Sequence, residues 1–259
     1  RYRENFLDIQ IINYRKYVAQ KEANPLKGDD VMNMISVLQY LQPFHHPNIE
    51  NLVDCLQDEK FIYIITEYGG EDLFDVIVNH SRESLLSEAQ RRDAFAQIVN
   101  GVSFLQDVGI YHRDITVETV VFNASTGQVK ISSFGAALKV PRMTLNKIEE
   151  EMTNRHMQAV NPYPGMCQTI DTSSGDVLVP LLIHNDGLVA RRTSIPPEAF
   201  QRKPLNGYLA DNWALGVMLF YLLTGGPPWH SNSRVDGGSF DHSLVSQCQA
   251  TGQSNAHFS

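Results

Sequence analysis

Asp114 closes the triplet His112-Arg113-Asp114 after an apolar run. A carboxylate held on such a loop can take a proton from a hydroxyl group, an effect worth roughly 10²–10⁴ in rate. The competing role is an aspartate that only shapes its loop. Positions 116, 119 and 133 downstream hold hydroxyls, Thr116, Thr119 and Ser133. His45-His46 lacks other spaced ligands and fits a loop better than a metal site. Cys55, Cys167 and Cys248 are odd in number, far apart and at no metal-ligand spacing, which favours unpaired thiols in a reducing compartment.

The elements that must position these residues are legible in the patterning. Residues 1–21 alternate, as in Phe6-Leu7-Asp8-Ile9-Gln10-Ile11-Ile12 and Tyr17-Val18-Ala19, and predict strands. Val31, Met34, Ile35, Leu38 and Leu41 recur at helical spacing, and the helix breaks at His45-His46-Pro47-Asn48. Phe61 to Thr66 predicts a strand, ended by a hinge at Gly69-Gly70. Ser87 and Gln90 make a capping box for a helix running to Gly109. Two short strands follow, around residues 120–122 and 129–131, and a further helix spans about 209–223. Residues 136–194 hold no clear pattern beyond a short helix at 144–158, and residues 231–240 read as a Ser/Gly-rich linker.

Composition bounds the function. The net charge of −8 argues against a nucleic-acid or anionic-membrane partner. The longest apolar run, Val217 to Leu223, is far below the roughly 18–20 residues of a membrane span. No signal peptide is visible, and the chain opens on Arg1, so it reads as a cytoplasmic fragment.

Several segments, taken in order, resemble the eukaryotic-type protein kinase family of the Ser/Thr kind, from about Val18 to Ser259. Val18-Ala19-Gln20-Lys21 resembles the third-strand V-A-x-K. His46-Pro47-Asn48-Ile49 resembles the loop after helix C, and Glu67-Tyr68-Gly69-Gly70-Glu71 the hinge. His112-Arg113-Asp114 resembles the catalytic loop, and Ser133-Phe134-Gly135 an altered Asp-Phe-Gly. Pro196-Pro197-Glu198 resembles A-P-E, and Asp211-Asn212-Trp213-Ala214-Leu215-Gly216 the start of helix F.

The resemblance implies an α+β bilobal kinase-like fold over residues 1–259. A strand-rich N-lobe (1–68) with helix C would face a mainly helical C-lobe (69–259), with an activation segment at about 136–194. No glycine precedes Gly28, so the Gly-rich loop is absent or degenerate. Residues 241–259 read as helix G and its sequel, so the terminal helices are expected to be missing.

It also implies site roles. Asp114 is the retained base, with His112 as packing and Arg113 as a contact to the activation segment. Lys21 would meet phosphate, Ala19 and Val121 would enclose adenine, Thr66 would be a small gatekeeper, and Glu67 and Tyr68 would offer hinge backbone. Glu198 and Asp211 are scaffold residues. Helix C carries no acidic residue to orient Lys21; Met34, Ser36 or Val37 stands in its place. A lysine expected two residues after Asp114 is Thr116, and an asparagine expected five after is Thr119. Magnesium needs hard anionic oxygen, which Thr119 and Ser133 do not supply.

The expectation is a pseudokinase with weak or no phosphotransfer, signalling through nucleotide or protein binding. The alternative is an active or atypical Ser/Thr kinase acting on a protein hydroxyl. ATP binding is left open, magnesium is disfavoured, and the partner or substrate is a protein. Arg191-Arg192 ahead of Thr193-Ser194 also resembles a phosphorylation site, against a plain solvated turn.

Overall fold

The alternating residues Leu7 to Ile12 form strand β1 (Leu7–Asn13), but the chain then turns helical in α1 (Tyr14–Ala23). A computed structural model describes residues 6–23, 30–78, 86–139, 142–144, 169–170, 177–180, 194–196, 199 and 205–228. The α1 helix corrects the expected second strand. Asn13 accepts the Lys16 N–H at 3.0 Å as an N-cap does, and Arg15, Lys16, Ala19, Gln20, Lys21 and Glu22 all favour helix. One β-branched residue, Val18, does not outweigh that run.

Helix α2 (Val31–Leu41) is capped by Asp30, whose side chain accepts from the Met32 N–H, and it buries Met34, Ile35, Val37, Leu38 and Leu41. Strands β2 (Leu52–Gln57) and β3 (Phe61–Glu67) follow. The sheet order is β1-β3-β2, with both pairings antiparallel. On β3 the inward residues Ile62, Ile64 and Thr66 are buried and alternate with half-buried Phe61, Tyr63 and Ile65.

Gly69 and Gly70 carry the chain across to the second lobe. A Cβ on Gly70, at φ 111°, would lie 2.1 Å from the Phe122 carbonyl oxygen, so only glycine lets the hinge pass this close. Strand β4 (Glu71–Asp72) opens the second lobe and leads into α3 (Leu73–Val78) and α4 (Glu88–Asp107). The capping box of Ser87 and Gln90 is present as the sequence predicts. Strand β5 (Ile110–Tyr111) precedes the loop bearing Asp114; β6 (Val120–Asn123) and β7 (Gln128–Ile131) form a hairpin behind it. Strand β8 (Leu138–Lys139) pairs with β5, and β9 (Arg142–Thr144), β10 (Thr169–Ile170) and β11 (Val177–Pro180) form a small sheet.

The last described helix, α5 (Gly207–Thr224), starts at the cap Asn206 and ends at Gly225, φ 79°. One core joins the lobes: Leu38 from α2, Ile62 and Ile64 from β3, Ile98 and Leu105 from α4, Ile131, Phe134, and Met218 from α5. Each such side chain contributes about 1.5–3 kcal/mol on burial. Asn48 seals the joint. Its amide donates to Gln97 Oε1 at 3.0 Å and to the Val129 carbonyl at 2.9 Å, and it accepts from Asn100 at 2.9 Å.

Candidate functional site

The loop after β5 is held from below by one carboxylate. Asp211, fully buried on α5, accepts the backbone N–H of His112 at 2.8 Å and of Arg113 at 2.9 Å. Arg113 sits at φ 66°, a left-handed conformation that a non-glycine residue keeps only when its surroundings hold it. Burial pushes the Asp211 carboxyl up to about 7, against the pull of those two N–H groups and the Arg113 charge. Burial moves His112 the other way, down to about 4. Neutral His112 receives the Asp114 N–H on Nδ1 at 3.4 Å, and its Nε2 lies 2.9 Å from the Ser132 carbonyl oxygen, so Nε2 carries the proton. Its ring stands edge-on to buried Phe134, with centroids 5.0 Å apart.

Thr116 and Thr119 turn inward. Thr119 Oγ1 accepts the Thr116 N–H at 2.9 Å and lies 2.7 Å from the Asp114 carbonyl oxygen and 3.1 Å from that of Thr116. The Thr119 carbonyl in turn receives the Ser132 N–H and hydroxyl at 2.9 and 3.1 Å. Both threonines are buried; the Thr119 hydroxyl holds the loop's own backbone, and that of Thr116 lies 3.4 Å from it. Ser133 is exposed, at φ 63°.

The turn Phe134–Ala136 lies under α2. The Gly135 carbonyl accepts the Asp30 N–H at 3.1 Å and the Asn33 side-chain amide at 3.0 Å, and that amide also donates to the Ala137 carbonyl at 2.7 Å. Arg113 Nε donates to the Ala136 carbonyl at 2.6 Å. On the far side Glu50 accepts from the Thr66 hydroxyl at 3.2 Å and from the Ser133 backbone N–H; burial raises its carboxyl above the usual range. Sequence reasoning missed both Asn33 and Glu50. No local signal marks either, because each acts on a segment far away in the chain.

On the N-lobe side the expected site is not assembled. Ala19 and Lys21 lie on α1, exposed, not on a strand. The Lys21 ammonium pairs with Asp30, which also accepts from the Tyr17 hydroxyl at 2.7 Å. Strand β3 is flanked by β2 and, on its other edge, by β1, which holds no lysine. Its Asp8 and Gln10 pair in register with Thr66 and Ile64 and share their sheet face. At the hinge, the Glu67 N–H donates to the Asn51 carbonyl and the Tyr68 N–H to that of Phe6, each at 3.1 Å. Both backbone N–H groups are thus taken up by protein. The Glu67 carboxylate pairs with Lys130 at 2.9 Å and accepts from Asn51 at 3.1 Å, and the Lys130 contact holds it below the usual carboxylate range. Val121 is half-buried against Gly69, and Thr66 is buried.

Glu198 and Arg191–Thr193 lie outside the described residues, as do Gly28, residues 231–240 and residues 145–158 of the expected helix, whose first residue, Thr144, ends β9. Ser194 is only 5% exposed, which does not suit a modified hydroxyl. It lines a cavity of about 160 Å³ with Ile115, Val117, Glu118, Met218 and Tyr221, next to the Asp114 loop. His46 stacks on Phe104 at 4.4 Å and accepts the Asn48 N–H, a packing role. Among the described residues no cluster suits a metal ion, and no helix is long and apolar enough to cross a membrane.

A three-stranded lobe with one packed helix, a glycine hinge and a helical lobe carrying an Asp-supported catalytic-type loop define the bilobal kinase class. The sequence profile of the protein kinase domain family matches residues 9–158, and the chain belongs to that family. CBL-interacting protein kinase 8 of Oryza sativa subsp. japonica is 32% identical over 204 residues, covering 78% of this chain and 35% of its own length. Probable serine/threonine-protein kinase fhkD of Dictyostelium discoideum is 28% identical over 248 residues, covering 91% and 28%. The chain therefore spans about a third of the length of these relatives. A chain in the crystal structure of the yeast RNA Pol II CTD kinase CTDK-1 complex shares the fold. Its TM-score is 0.58 at 20% identity, over 89% of this chain and 58% of that one.

Kinase domains in general use ATP and magnesium. The donor set at the magnesium positions does not fit the metal ion. Thr119 is occupied by backbone, and Ser133 brings a neutral hydroxyl.

Proposed function

We infer that this chain is a pseudokinase, a kinase domain that transfers phosphate weakly or not at all and signals inside the cell through a protein partner. The observation that supports this most is the inward turn of Thr116 and Thr119 beside exposed Ser133. Phosphoryl transfer is mostly positioning and charge neutralisation. Metal charge stabilisation supplies several kcal/mol, and each 1.4 kcal/mol is about tenfold in rate. Losing the metal ligands, the loop lysine and the strand lysine together exceeds the roughly 10²–10⁴ that Asp114 offers as a base.

A second reading, an atypical Ser/Thr kinase, draws on the retained Asp114 and on Asp211, which holds that loop in place. Magnesium-dependent nucleotide binding separates the two. The pseudokinase reading expects no thermal shift that depends on Mg²⁺ with ATP. A normal kinase turnover that vanishes in Asp114→Ala overturns it.

A further inference from the structure

Four consecutive carbonyls, Phe134 to Ala137, need donors, and their partners come from three places. Phe134 is served within the turn by the Ala137 N–H, and Ala136 by Arg113. Gly135 and Ala137 are served from the first turn of α2, by the Asp30 N–H and by both hydrogens of the Asn33 amide. A buried turn with its carbonyls satisfied this way has no reason to rearrange. Asn33 is the only described residue that spans the two carbonyls. Asp30 adds a second layer: it caps α2 at the Met32 N–H and receives Tyr17 and Lys21 from α1. Helix α1 buries no residue of its own, so that polar grip is its attachment to α2.

We propose that Asn33 and Asp30 form a clamp that fixes α2 on the Ser133–Ala137 turn without nucleotide or a lysine–glutamate pair, with α1 as a strap over it. Lys21 then serves the strap, not a phosphate. The proposal stands whether or not the chain transfers phosphate.

Hydrogen–deuterium exchange on the full 259-residue chain tests it. Asn33→Ala removes two bonds of ordinary strength, so exchange in residues 31–36 and 134–137 should rise about ten- to thirty-fold with α4 and α5 unchanged. Lys21→Met should raise exchange in residues 14–23 alone, because Asp30 still caps Met32. Unchanged exchange in Asn33→Ala, or a uniform rise across the chain, overturns the clamp. Asn33→Asp guards against a packing role, since it keeps the shape but aims a carboxylate at two carbonyls. It should protect the turn less than Asn33→Ala at pH 8, and should recover protection at pH 5, after correction for intrinsic rates. Asn33→Asp matching the wild type at pH 8 also overturns the proposal.

Discussion

Replacing Asp211 by alanine should be the most damaging single change to the loop that carries Asp114. The carboxylate accepts two backbone N–H groups at 2.8 and 2.9 Å, and one belongs to fully buried His112. Leaving a buried donor unsatisfied costs about 1–3 kcal/mol, so Asp211→Ala should lose roughly 2–6 kcal/mol. Arg113, no longer held at φ 66°, should leave the left-handed region. The loss should depend on pH with a definite sign. The folded Asp211 pKa, about 7, lies above the ordinary 3.8, so the folded state binds the extra proton between them. The wild type therefore gains stability as pH falls from 7 toward 3.8, at about 1.4 kcal/mol per unit, and the alanine variant does not.

The destabilisation should thus grow by roughly 2 kcal/mol between pH 8 and 5.5. Titrations common to both proteins, that of His112 among them, cancel in the difference. Urea unfolding of both proteins at pH 8 and 5.5 measures it as a shift in midpoint at constant slope. A variant within about 1 kcal/mol of wild type at both pH values, or a loss that shrinks on acidification, refutes the reasoning.

Three further outcomes follow from the same geometry. His112 has a folded pKa near 4 against an ordinary 6.5, so its contribution is full above 6.5 and is lost as pH falls toward 4, up to about 3 kcal/mol. NMR should find its ring still neutral at pH 5.5. Thr119→Val leaves the buried Thr116 N–H without its acceptor and should cost about 1–3 kcal/mol in chemical denaturation, with α4 intact by circular dichroism. Lys130→Met removes the contact that lowers the Glu67 pKa. A lowered acid stabilises fully above its ordinary 4.5 and loses that contribution as pH falls through its folded value below 4.5, so the variant should lose about 1 kcal/mol at pH 7 and progressively less as the solution is acidified below 4.5.

Much of the fold was readable along the chain because its signals are local. The apolar spacing of α2 and the capping box of α4 each depend on residues within a few positions. Lys21 was misread for the same reason. Four residues that look like V-A-x-K sit in a run whose helix propensity and Asn13 cap decide the matter.

By itself the sequence determined that this is a kinase-family chain whose Asp114 lacks the usual acidic and basic company, since the identities of Thr116, Thr119 and Ser133 are plain in it. Only the tertiary structure decided what those residues do instead. The threonines bind their own loop, Glu50 takes the Ser133 N–H, and Asn33 ties α2 to the turn. The physical reason is that a buried polar group must find a partner, and which partner it finds is settled by where the folded chain brings distant backbone within about 3 Å.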